Sequence, residues 1–165
     1  MALSIYNLDL ETLRQNRYKS LNTAFRCSRV AFLDSVIRTR DLLAFLRKGK
    51  NRSRLAELAI KNTQPELYSI LRSMEPRNVK VTELSGRFIA ANSAKNNNII
   101  RQLIAEFQEQ MAAVMDRLAT FRQAETVVRV VQCTQNREFK ISLIRVAMDH
   151  TTDQTLLQHL QELQR

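Results

Sequence analysis

Asn98 to Arg122 read NIIRQLIAEFQEQMAAVMDRLATFR, and in that stretch Ile100, Ile104, Phe107, Met111, Val114, Leu118 and Phe121 succeed one another at intervals of 4, 3, 4, 3, 4 and 3. A 4-3 alternation keeps every apolar side chain on one stripe of a helix, so the spacing predicts a continuous helix over about 98–123, roughly 35 to 40 Å long at 1.5 Å per residue. Such a stripe is either the face the helix buries in its own bundle or a seam for self-association. If the helix extended back through Asn97, that residue would take an a position, a placement that fixes register and oligomer state in coiled coils.

Working outward, the chain has 165 residues with 44% hydrophobic and 25% charged side chains, a composition that suits one folded domain over 1–165 rather than a disordered chain. It holds two glycines and two prolines, where average usage would give roughly eleven and eight. Tight hairpins need those residues, so an all-α fold is expected: an irregular bundle of about six helices, two of them long (about 9–48 and 98–123). On a projection at about 100° per residue, Leu10, Leu13, Leu21, Phe25, Phe32, Leu42 and Leu46 share one arc of a helix from Asp9. Arg14 and Arg17 intrude on it. Gly49 is expected to stop this helix, and Ser53 to cap a short one reaching about Asn62. Thr63, Pro65 and Glu66 read as a capping box with proline in the first turn, opening a helix that ends before Pro76. Residues 77–82 read as extended, with Thr82 or Ser85 starting the next helix, and Asn96 to Asn98 as an interruption. Val127, Val128, Val130 and Val131 have strand propensity but no hairpin partner, so they are read as helix. Thr152 or Asp153 caps the last helix, which carries Leu156, Leu157, Leu160 and Leu163.

Little in the sequence points to catalysis. With two glycines, neither GxGxxG nor GxxxxGK can be written. His150 and His159 lie close to half a turn off a common helix face, and no short-spaced cluster of His, Cys and carboxylate suggests a metal. Cys27 and Cys133 have no metal or redox spacing and read as two buried reduced thiols. No apolar run has transmembrane length and no leader pattern is visible, so an intracellular, cytoplasmic or nuclear protein without cofactor or metal is expected, and not an enzyme.

The charge is where function becomes legible. Residues 1–54 carry twelve Lys or Arg against four acids, 12 − 4 = +8 of a total of +10. Clustered cations create a local potential that evenly spread ones do not. On the N-terminal helix Lys19, Arg26, Arg40 and Arg47 share one strip with Arg29 beside them, a ladder about 40 Å long. It leads into Arg47, Lys48, Lys50, Arg52 and Arg54, where like charges repel unless a partner neutralises them. No aromatic residue interleaves, so contact with phosphate backbone is expected rather than base stacking. The leading expectation is a nucleic-acid-binding protein, RNA favoured over DNA because no helix-turn-helix or zinc finger is visible, acting as a homo-oligomer or ribonucleoprotein subunit. The alternatives are a helical adaptor docking an acidic protein through the basic face, and peripheral attachment to anionic membranes.

Overall fold

The structure, a computed structural model, describes residues 48–165. Of the helix expected over about 9–48, residues 9–47 therefore lie outside the described residues. Contacts group the chain into two compact units, the first ending at Pro76 and the second running from Arg77 to Arg165. The described residues form eight α-helices and no strand.

In the first unit, α1 (Gly49–Lys61) packs against α2 (Pro65–Ser73). Leu55, Ala56, Ala59 and Ile60 form the buried face of α1, and Tyr68 and Leu71 that of α2. Gly49, expected at the end of a helix, is the first residue of α1, and Arg52 N–H bonds back to Lys48 O at 3.1 Å. Ser53, expected as a cap, is buried inside α1. Thr63, expected as the N-cap of the next helix, does not hold that position. Thr63 sits at φ 55°, its N–H bonded to Ile60 O and the Gln64 N–H to Ala59 O, which is the double bond of a Schellman stop. Closing α1 thus occupies Thr63, and Gln64 takes the N-cap position of α2 with Pro65 at its start.

The second unit holds α3 (Val81–Ser93), α4 (Asn97–Glu106), a single 3-10 turn (Gln108–Gln110), α5 (Met111–Thr120), α6 (Ala124–Cys133), α7 (Arg137–His150) and α8 (Gln154–Gln164). The most extensive packing is of α5 on α7; α3 lies against α4, α5 and α6, and α8 closes on α6 and α7. The continuous helix expected over 98–123 is broken at Phe107, which has φ −112° and ψ 33°. The cause lies far away in sequence. The Gln110 side chain accepts from Val79 N–H at 3.2 Å and donates to Val79 O at 2.6 Å, so one amide satisfies both backbone groups as a neighbouring strand would. Holding that side chain against residue 79 favours the tight turn over a continued α-helix.

The valine-rich segment is helical because Val127, Val130 and Val131, spaced 3 and 1, come to one buried face of α6. Asn96, Asn136 and Asp153 cap α4, α7 and α8 through their side-chain oxygens. The helix after Pro76 begins at Val81, before either expected start, with Lys80 as its cap. Arg87, on α3, is wholly buried, and its side chain is engaged.

Scarce glycine has a visible consequence. The same Schellman geometry ends α3 and α5, with Lys95 at φ 54° and Arg122 at φ 58°. Non-glycine residues thus occupy three left-handed positions, at roughly 1–2 kcal/mol each for the Cβ clash. Thr63→Gly, at the β-branched member of the set, is expected to raise stability by about 1 kcal/mol, because relief of the clash exceeds the added freedom of the unfolded chain. A rise in the urea midpoint at unchanged slope is the measurement.

Candidate functional site

Of the basic residues singled out above, Lys19, Arg26, Arg29, Arg40 and Arg47 lie outside the described residues. The remainder lie at the start of a helix: Lys48 is the cap residue of α1, Lys50 is in its first turn, and Arg52 and Arg54 follow. The first turn of α1 contains no acidic residue. Cations at a helix N-terminus oppose the helix dipole, each at about 0.3–1 kcal/mol, a cost that a bound anion would reverse.

The four are not equivalent. Lys48 and Arg54 are exposed. Arg52 is turned inward, its Nε 3.9 Å from Glu75 Oε2, with side-chain exposures of 12% and 2%. Glu75 also faces Arg72 Nη1 at 3.9 Å, and that guanidinium donates to Pro76 O at 2.7 Å. Arg52 therefore helps join α1 to the end of α2. The ion pair links residues 23 apart, and nothing in the linear charge pattern announces it.

Six members of the apolar stripe, Ile100, Ile104, Phe107, Met111, Val114 and Leu118, are buried within the second unit. Phe121 is not. It is 59% exposed, because α5 ends at Thr120 and the left-handed Arg122 turns the chain away; the Arg117 guanidinium lies 4.5 Å from its ring centroid. Asn97 accepts from Arg129 Nη1 at 3.3 Å.

The residues considered for chemistry are dispersed. His150 ends α7; its Nε2 is 3.6 Å from Asp116 Oδ1 and its Nδ1 2.8 Å from Val146 O. His159 lines a groove of about 260 Å³ with Glu125, Arg129, Val128 and Leu156, into which Asp153 also faces, although that carboxylate is already bonded to the Thr155 and Leu156 amides. No group of three or more metal-ligating side chains occurs among the described residues. Cys133 is a buried free thiol; burial pushes it above its ordinary value of 9.0, opposed by smaller effects of Arg101 and Arg129. No helix among the described residues is long and apolar enough to cross a membrane.

A second basic feature was not legible in the linear sequence. Arg137 and Lys140 on α7 and Arg165 after α8 line one groove of about 240 Å³. These residues are separated by up to 28 positions, and only the α7–α8 hairpin brings them together.

Comparison of the chain with protein-family models, with curated proteins and with solved structures gave no match.

Proposed function

We propose that the protein binds nucleic acid, RNA in preference to DNA, as a non-enzymatic backbone-contacting protein that works as a homo-oligomer or within a ribonucleoprotein particle. The observation that carries this reading is the segregation of charge, +8 of +10 within residues 1–54. A field of that kind suits a polyanion whose phosphates are neutralised with release of counterions. The start of α1 supports it: the residues there oppose the helix dipole, and Lys48 and Arg54 are open to solvent. Arg52, committed to Glu75, belongs to the scaffold.

Reversing charge at Arg47, Lys48, Lys50 and Arg54 is expected to weaken binding to single-stranded RNA tenfold or more at ~100 mM salt and to flatten the dependence of log K on log salt, equally for unrelated sequences. Arg52→Gln should leave affinity nearly unchanged. Gel shift and fluorescence anisotropy across a salt series give both quantities. Absence of any shift at ~50 mM salt would remove the nucleic-acid reading, and binding to an acidic peptide in its place would establish the adaptor.

A further inference from the structure

The groove between the start of α7 and the end of α8 has no part in the basic N-terminal third, yet its lining has the same chemistry in a more concentrated form. Arg137, Lys140 and Arg165 line it together with Thr134, Gln135 and Gln164, over the half-buried Ile141 and Leu163. No Asp or Glu is among the lining residues; the neighbouring Glu138 and Glu162 are exposed and lie outside it. At about 240 Å³ it has room for a phosphate group and associated water, one water taking about 30 Å³.

Two further observations separate this cluster from ordinary surface charge. None of the three cationic side chains makes an ion pair or hydrogen bond among the described residues. Elsewhere in the same unit an exposed cation does find an acid: Arg77 Nη2 is 2.9 Å from Glu109 Oε1. Moreover, Arg137 and Lys140 both fall in the opening turn of α7, where the helix dipole disfavours positive charge. Three cationic residues lining one concavity with no Asp or Glu among them repel one another, and although Glu138 shares the first turn of α7, an anion in the groove lowers both penalties.

We propose that this groove binds a backbone phosphate of a polynucleotide, giving the second unit its own contact with the strand. The proposal rests on the nucleic-acid reading above and extends it from the N-terminal third to residues 134–165. A phosphodiester is favoured over an acidic peptide because Arg137 and Arg165 present planar guanidinium forks suited to phosphate oxygens, and Lys140 adds a point charge.

The full chain and a triple variant, Arg137→Gln, Lys140→Gln and Arg165→Gln, serve as the test, with Lys80→Gln, Lys95→Gln and Arg145→Gln together as a control for net charge. Circular dichroism verifies folding of both. With a fluorescent single-stranded RNA, the groove variant is expected to lose tenfold or more in affinity at ~100 mM salt. Its salt slope should fall by about 0.7, the contribution of one neutralised phosphate on a single strand. The control should lose threefold or less. A titration with inorganic phosphate, followed by backbone amide shifts, should move residues 134–141 and 163–165 in the wild type and not in the groove variant. RNA binding that the groove substitutions leave unchanged would overturn the proposal while sparing the N-terminal site. A wild-type chain that binds no RNA yet shifts at the groove would refute the function and the polynucleotide occupant together, leaving only a phosphate site; no shift at the groove refutes that as well.

Discussion

Replacing Phe107 by alanine is expected to lower the unfolding free energy by about 3–5 kcal/mol, the usual cost of emptying a buried aromatic position. Phe107 is 2% exposed and follows the last residue of α4. Its N–H bonds to Leu103 O at 3.0 Å, and its own carbonyl accepts from Gln110 N–H at 2.9 Å. The ring thus fills the core at the point where the helix axis is interrupted, and removing it leaves a cavity under a turn whose backbone is fixed from both sides. Such a loss is a large fraction of the 5–15 kcal/mol typical of whole domains. Urea unfolding reads it as a fall in midpoint with the slope unchanged. Phe107→Leu, which retains most of the volume, should lose less than half as much. A loss below about 1 kcal/mol for the alanine variant would contradict the burial, because only an accessible or readily collapsing site responds so weakly.

The apolar stripe containing Phe107 shows what the sequence could and could not reveal. A 4-3 spacing states which residues share an interior, and six of its seven members are interior. It does not state that one helix carries them. Two short helices joined by a 3-10 turn meet the same requirement, and the reason for the break, an amide reaching residue 79 from residue 110, has no local signature. Nor did the shortage of glycine mean long helices in the described residues. The chain there turns often and places Thr63, Lys95 and Arg122 in conformations that glycine would adopt more cheaply. The valines of α6 were legible because spacing outweighs strand propensity when no partner strand exists. The candidate site divides similarly. Basic residues adjacent in sequence could be read directly. The inward turn of Arg52 and the meeting of Arg137, Lys140 and Arg165 depend on tertiary packing, which no linear charge count contains.

Gln110 supplies the second large effect. Val79 is 7% exposed, and both of its backbone polar groups are satisfied by this one side chain. Gln110→Ala leaves a largely buried N–H and C=O without their partner, and an unsatisfied group of that kind costs roughly 1–3 kcal/mol, so a loss of about 2–4 kcal/mol is expected. Because residues 107 and 110 share one turn, the double variant with Phe107→Ala should lose less than the sum of the two single losses. Gln110→Glu tests the donor separately. An ionised glutamate still accepts from the Val79 N–H but offers nothing to the Val79 carbonyl, whereas a protonated one can do both. The folded state of that variant therefore holds its proton more tightly than the unfolded chain does, raising the folded pKa. The stability contributed by the proton is fully present below the unfolded value of about 4.3 and is lost as the pH rises through the folded pKa. Against wild type at each pH, Gln110→Glu should be nearly neutral in acid and destabilised at pH 7. An equal deficit at both would show that the glutamine does not donate to Val79, and the tight turn at 108–110 would then need another cause.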